Sequence, residues 1–398
     1  MELTPRRERL LIAILASINF THIMDFVIMM PLGPQFIRVF HIDTSQFALM
    51  VSSYTFAAAV SGIICSLFID RFDRKRALLC LYAGFIGGTL LCGFASSYPL
   101  LVGARIVAGA FGGVAGGLVL AVVGDVIPAN RRGKALGIIM ASFSVASVIG
   151  IPTGLYFATA ISWRVPFVGL AAGSLLVLVA AMTGLPRLTS HLTNEAGRNR
   201  LREIRTVLAE RNHIRAWSLT TALMFGGFTI IPFLSPYIVS NLKLAESQLP
   251  LFYLCGGACT FLTSQVIGRL ADRFGKQRVY SMLAISSLVP ILVVTHLPPV
   301  SLGVALIWMT VFMVLVSGRF VPAMALITGS TTPAHRGSFM SVNASVQQAT
   351  AGSAAILAGA FLRQEGNGPI VGYGTVGLLA SAFTLLSLWV AARIELRS

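Results

Sequence analysis

Charge is scarce in this 398-residue sequence: Asp, Glu, Lys and Arg together make up 11% of it, where soluble domains carry about 25%. With 56% hydrophobic residues and a mean hydropathy of +0.81, that shortage excludes an ordinary soluble globular chain. Cysteine is scarce too. The five present, Cys65, Cys80, Cys92, Cys255 and Cys259, are odd in number and lie inside apolar stretches, which argues against a disulfide framework or zinc site and for small packing residues. No His and acidic residues cluster at metal-ligand spacing, and no glycine-rich loop ends in Lys-Ser or Lys-Thr, so metal catalysis and nucleotide hydrolysis have nothing to stand on. The expectation is a non-enzyme without a cofactor.

What the sequence does have is long apolar windows, each sufficient to cross roughly 30 Å of hydrocarbon with about 20 residues. They fall near 10–37, 46–69, 77–97, 99–124, 134–159, 165–185, 214–240, 249–270, 279–297, 301–329, 337–362 and 371–393. An all-α integral membrane fold of twelve helices is therefore expected. The N-terminal basic residues precede an apolar run that is too long for a removed signal and lacks a small-residue cleavage site, so it reads as the first helix.

The net charge of +16 would advertise nucleic-acid binding in a soluble protein, but its placement points elsewhere. Of the 30 Lys and Arg, 24 fall in the termini, alternate loops and the long central connection; Arg38, Arg164, Lys243 and Arg363 lie on the other side, and Arg105 and Arg319 lie within helices. By the positive-inside rule both termini and the central loop are expected in the cytoplasm, which requires an even number of spans and removes the nucleic-acid reading. The expected organisation is a six-helix bundle over 1–186, a basic linker over 187–213 with an amphipathic face of Leu201, Ile204, Val207 and Leu208, and a second six-helix bundle over 214–398.

The two bundles repeat one another. Asp70-Arg71-Phe72, followed by Arg74, Lys75 and Arg76, recurs roughly 200 residues later as Asp272-Arg273-Phe274-Gly275-Lys276-Gln277-Arg278. A second echo joins the Pro128 to Gly133 segment to Pro333 to Gly337. This duplication, with a basic signature in the loop after the second helix of each half, resembles the major facilitator superfamily over essentially the whole chain. The second copy matches that family's loop signature almost completely; the first carries Ser66 and Asp73 where glycines are usual. The resemblance implies two pseudo-symmetric six-helix halves around a midplane cavity, and a role for Asp70, Arg71, Arg74, Asp272, Arg273 and Lys276 as conformational latches at cytoplasmic helix ends. The alternative is that these charges only anchor the topology.

Two further stretches resemble the proton-linked efflux branch. Gly103-Ala104-Arg105, closing on Gly109, looks like the arginine motif of drug and sugar efflux members, and Gly150-Ile151-Pro152-Thr153-Gly154, followed by Trp163-Arg164, is similar to the antiporter motif of the arabinose-efflux-like branch, without the Gly-Pro pair of multidrug antiporters.

An ionisable side chain near the bilayer centre costs about 2.5–3.5 kcal/mol on insertion scales and marks function by default. Of the fourteen acids, only Asp25 lies deep in a helix, roughly 22 Å along the first helix from the cytoplasmic end, while Arg105 is on the order of 9 Å along the fourth from the outside. Those depths coincide, and the resemblance places both helices at the cavity. An Asp25–Arg105 pair is the leading proton-coupling hypothesis, with His22 one turn away as tuner or relay; a static ion pair is the alternative. Arg319, roughly 15 Å from the cytoplasmic end, has no deep acid in its own half, so its partner is expected to be Asp25 across the cavity, backbone carbonyls, or an anionic group on the substrate. Asn19, Gln265, Asn343 and Gln347 are further cavity candidates that serve equally as glue between helices. Pro31, Pro34, Pro232 and Pro236 are expected to bend the first and seventh helices.

The expected function is proton-coupled export of a small drug-like or sugar-like compound by a monomer in a bacterial cytoplasmic membrane, with lipid and protons as its other partners. Uptake of a polar or anionic metabolite on the same fold is the first alternative, and a non-transporting receptor or scaffold the second.

Overall fold

The computed structural model describes residues 5–66, 68–186, 188, 206–332, 335–364 and 368–397. Its architecture is helical, with an antiparallel bridge between Arg363 and Val371 as the sole β element among the described residues. Eleven segments are long and apolar enough to cross a membrane: α1 (Arg6–Ile28), α2 (Thr44–Ser66), α3 (Arg74–Phe94), α4 (Tyr98–Val126), α5 (Arg131–Ala160), α6 (Val165–Gly184), α7 (Arg211–Ser240), α8 (Glu246–Phe274), α9 (Lys276–Thr295), α10 (Leu302–Gly329) and, last in the chain, α12 (Tyr373–Ala391). Between the last two lies α11 (Arg336–Phe361), of comparable length. It falls short on hydropathy because it carries Asn343, Gln347, Gln348 and several Ser and Thr. A helix this polar belongs inside the bundle, where its side chains find partners, and α11 packs along α2 of the opposite half.

Several helices break where proline removes a backbone donor and its ring crowds the preceding turn. α1 ends before Pro31, and a short helix, Gly33–Phe40, continues it with Pro34 in its first turn. α7 does the same in the second half: it is interrupted after Phe228, passes through a 3-10 turn at Ile231–Phe233 and resumes as Leu234–Ser240, with Pro232 and Pro236 at the equivalent places. α5 holds a π-turn at Ala146–Gly150 just before Pro152. α10 breaks between Gly318 and Phe320, leaving Arg319 at the joint three residues before Pro322.

Core packing divides the molecule along its length. One cluster, including Leu11, Leu78, Val119 and Ala181, is built wholly from the first half, and another, including Trp217, Tyr280, Phe339 and Val390, wholly from the second. A third is shared: Met24, Phe36 and Phe47 pack there with Phe233, Phe252, Ala355 and Tyr373. The unshared clusters lie towards the termini, where Glu8 pairs with Arg131 at 2.8 Å and Arg397 N donates to Gly329 O at 2.8 Å. The shared cluster lies at the other end. There Thr44 Oγ1 donates to Leu362 O (2.8 Å), Ser45 Oγ to Gly359 O (3.1 Å), and Arg38 forms an ion pair with Glu246. The halves are thus closed at the end opposite the termini and pack separately at the end that bears them.

Outward faces carry bare apolar side chains, among them Leu176, Ile285, Val289, Leu385 and Trp389. In water this surface would be an aggregation hazard; against lipid tails it is the expected solvent-facing side of a membrane bundle. Of the expected linker face, Leu201 and Ile204 lie outside the described residues. Val207 is buried and its carbonyl meets His213 Nδ1 at 2.9 Å, while Leu208 is exposed.

Candidate functional site

In the first half, four helices converge on one carboxylate. Asp25 (α1) and Arg105 (α4) are both fully buried, with Arg105 Nη1 2.7 Å from Asp25 Oδ2. The same nitrogen approaches the Asp25 carbonyl at 3.3 Å, and Thr89 (α3) donates to Oδ1 at 3.0 Å. Tyr54 (α2) closes the fourth side: the Arg105 guanidinium stands 4.3 Å from its ring centroid, a cation–π contact that gains strength in a dry setting. The Tyr54 hydroxyl meets His22 Nδ1 at 2.8 Å.

The glycine face of α4 makes this convergence possible. A Cβ on Gly109 would lie 2.2 Å from Tyr54 O and 2.8 Å from Tyr54 Cα, so any side chain there would push α4 off α2 and carry Arg105 away from the Tyr54 ring.

The ion pair is connected to the opposite half through aromatic rings. Phe26, next in sequence to Asp25, stacks on Tyr54 with ring centroids 5.5 Å apart and on Phe228 of α7 at 6.0 Å. A shift of α7 against α1 therefore bears on the ring beneath Arg105.

The sequence pointed to Asp25, Arg105 and His22, and the structure brings them into one cluster. It did not single out Thr89, Tyr54, Phe26 or Phe228. Thr89 is a polar residue inside an apolar run, a weak signal; the aromatics look like ordinary membrane-helix side chains until the fold places them.

Arg319 meets neither of the two partners expected for it within the chain. It is fully buried, yet it reaches neither Asp25 nor a backbone carbonyl. Its Nη1 donates to Thr384 Oγ1 on α12 at 2.8 Å and approaches Ser287 Oγ on α9 at 3.4 Å. The break in α10 turns it into the interior of the second half instead of towards the first. Asn19 and Asn343 act as glue between helices of one half: Asn19 Nδ2 donates to Ile139 O (3.1 Å), and Asn343 Oδ1 accepts from Thr220 Oγ1 (2.7 Å). Gln347 is half-buried on α11, one turn from Asn343, and Gln265 is exposed on α8.

The two copies of the basic signature are placed differently. In the first copy, Arg74 pairs with Asp125 at the end of α4, and Lys75 Nζ donates to Met182 O and Leu185 O at 2.8 and 2.6 Å, capping α6. Asp73, standing where the family has glycine, accepts from Lys75 N (2.9 Å) and Leu188 N (3.2 Å). These bonds stay within the first half and the start of the linker. Arg71 is exposed on the 3-10 turn Ile69–Arg71, and the Asp70 side chain lies outside the described residues. In the second copy Asp272 and Arg273 are exposed and Lys276 half-exposed, and no contact across the halves holds them among the described residues. At the closed end, a cavity of about 330 Å³ is lined by Gln35, Arg38, Thr159, Trp163 and Glu246, well away from Asp25.

The family model described as Major Facilitator Superfamily matches the chain twice, over residues 15–229 and 216–397. The chain belongs to that superfamily. The first match runs through the linker into α7, and the second overlaps it and covers the rest of the chain. The chain is 26% identical over 371 residues to the uncharacterised MFS-type transporter YceJ of Bacillus subtilis (strain 168), covering 92% of this chain and 93% of that protein. It is 27% identical over 368 residues to the uncharacterised MFS-type transporter YwfA of the same organism, covering 90% and 86%. Among solved structures, a D-xylose–proton symporter superposes with a TM-score of 0.76 at 17% identity, covering 95% of this chain and 96% of that one. A bacterial homologue of the human lysosomal transporter Spinster, inward-facing and unoccupied, gives 0.75 at 16% identity with 100% of both chains covered. At such identities the structures speak for the fold alone. The protein is a superfamily transporter embedded in lipid, moving a small molecule.

Proposed function

We propose that this transporter exports a small organic compound in exchange for protons, and that Asp25 carries the proton. The observation behind this reading is the Asp25–Arg105 pair, fully buried and held at 2.7 Å in a half that offers the carboxylate one further side-chain donor, Thr89. A carboxylate in so dry a setting has two ways to be neutralised: a cation beside it, or a proton on it. Arg105 supplies the cation in this conformation. When the pair separates, a proton takes over the role of Arg105. Substrate binding between the halves would drive that exchange by moving Phe228 against Phe26, and through Tyr54 the guanidinium that rests on it. His22, bonded to the Tyr54 hydroxyl, is the group nearest to hand for relaying the proton.

The positive-inside distribution supports placing the termini in the cytoplasm of a bacterial cell, with the protein acting as a monomer. In that orientation the separated ends face inward, and the conformation described is the one that loads an exported solute. Asp272, Arg273 and Lys276 are assigned to the other state, in which the inner ends close and these exposed charges acquire partners.

The test uses inside-out vesicles with an acidified lumen, a pH-sensitive dye and a chemically diverse solute panel. A solute that collapses the gradient with the native chain but not with Asp25→Asn supports proton-coupled export. If solutes cross equally well without a gradient, or Asp25→Asn changes nothing, Asp25 is structural and the protein is a facilitator. Proton uptake in the direction of solute entry would establish the uptake alternative instead.

A further inference from the structure

The second half contains a buried cation that no acid among the described residues answers. Arg319 is fully buried, and its Nε and Nη2 have no hydrogen-bond partner. The paired acids of the linker and second half, among the described residues, are Glu210, Glu246, which pairs across the halves with Arg38, and Glu395 beyond the end of α12. A guanidinium offers five N–H donors and no acceptor, and leaving it charged, dry and unneutralised is strongly unfavourable. In the first half the same difficulty is met by the fixed carboxylate of Asp25 on Arg105.

The surroundings of Arg319 are small and hydroxylated. Thr384 accepts from Nη1, Ser287 approaches the same nitrogen, and Ser381 lies one turn before Thr384 on the same face of α12 with a buried, unpartnered hydroxyl. On α7, glycine at 226 lies directly beside Nη2; a Cβ there would come within 2.9 Å of it. A charged fork with two unused nitrogens, a spare hydroxyl donor and no carboxylate is a donor set suited to a small anion.

We propose that Arg319, through Nε and Nη2, with the Ser381 hydroxyl, binds one small monovalent anion inside the second half, a mobile counterpart of the Asp25 carboxylate; Ser287 and Thr384, whose own protons go to Ala284 O and Ala380 O, hold the guanidinium in place by accepting from Nη1. A halide from the medium and the carboxylate of a carried acid share the required chemistry. The site does not depend on the direction of transport or on proton exchange.

The experiment follows thermal unfolding of the purified full chain in neutral detergent at fixed pH and ionic strength, with chloride replacing gluconate. Ligand that binds only the folded form raises its stability in a saturable manner, so the native chain is expected to melt a few degrees higher, roughly 2–4 °C, in saturating chloride. Arg319→Met is expected to lose that response. Thr384→Asp, which sets a carboxylate where a side-chain oxygen already meets Nη1, is expected to be insensitive to chloride and to melt like the chloride-saturated native chain. It also decides the matter should Arg319→Met fail to accumulate. If formate or acetate stabilises and chloride does not, the anion is a carboxylate and the site belongs to a carried acid. An unfolding midpoint indifferent to every small anion, or an anion response that Arg319→Met and Thr384→Asp retain in full, overturns the proposal.

Discussion

Neutralising Asp25 separates its structural from its functional role. In Asp25→Asn the guanidinium of Arg105 keeps its place at zero exposure but loses its counter-charge. Breaking one side of a buried ion pair costs about 3–5 kcal/mol, whereas replacing both partners by neutral groups is often close to neutral. For a half of this size, about 2–4 °C of melting temperature per kcal/mol turns that into a loss of roughly 6–20 °C for the single variant. The double variant Asp25→Asn/Arg105→Gln is expected to recover most of it, giving a coupling energy in the double-mutant cycle of about 2–3 kcal/mol. Transport follows different logic: if Asp25 carries the proton, neither variant drives export from a proton gradient, although the double variant is well folded. Thermal unfolding and gradient-driven flux, measured on the same preparations, give both readouts. A single variant as stable as the native chain would show that Arg105 is not held by this pair. A double variant that regains proton-driven export would remove Asp25 from the coupling mechanism.

Three other outcomes follow from the geometry. Gly109→Val should wreck the first half, because even a Cβ would sit 2.2 Å from Tyr54 O; expression level and monodispersity on size exclusion report it, and a native-like profile would contradict the packing of α4 on α2. Glu246→Gln removes the ion pair with Arg38, whose side chain is 58% exposed; such pairs are worth about 0–1 kcal/mol, so spin-label distances across the closed end should show the open population rising by no more than about fivefold. At the C-terminus, Arg397 donates to Glu210 at 2.8 Å and holds its carboxyl below the usual range. A lowered carboxyl contributes stability that is present above its ordinary value and is lost as pH falls through the lowered one. Amide protection of the last residues, taken relative to the intrinsic exchange rate at each pH, should therefore fall under acid conditions and, at neutral pH, in Glu210→Gln; unchanged protection in both would show that the pair does not hold the tail.

The helix count, the duplication and the pairing of Asp25 with Arg105 were legible because each rests on something local: apolar length, a recurring string, or depth along a helix of fixed rise. The polar eleventh helix was also found from sequence, although it is the least apolar of the spans. What sequence could not place was direction around a helix axis. Arg319 lies at a depth compatible with the central cavity, yet the break before Pro322 turns it inward to Ser287 and Thr384, and Asn19 and Asn343 likewise turn to neighbours in their own halves. The basic signature was recognised as a string, but its partners, Asp125 and the carbonyls ending α6, belong to tertiary structure and leave no mark in the loop itself.

The two halves repeat in sequence and fold but not in charge, and this asymmetry bears on how the transporter works. Each holds one arginine at zero exposure among its helices, Arg105 in the first and Arg319 in the second. In the first half the answering acid is part of the chain and lies beside Phe26, in the layer that touches the opposite half. In the second the arginine is turned towards α9 and α12, away from that layer. A change in how the halves meet can therefore reach Asp25 through Phe228, Phe26 and Tyr54, while Arg319 has no comparable ring path among the described residues. Opening the closed end must part Phe47 from Phe233, whose rings are 5.7 Å apart, and break the hydrogen bonds of Thr44 and Ser45 to the end of α11. The proline breaks in α1 and α7 flank that contact and give both helices a place to bend. If Asp25 exchanges Arg105 for a proton as proposed, conformational change and charge state are joined in the first half, and the second supplies a surface for it to rock against.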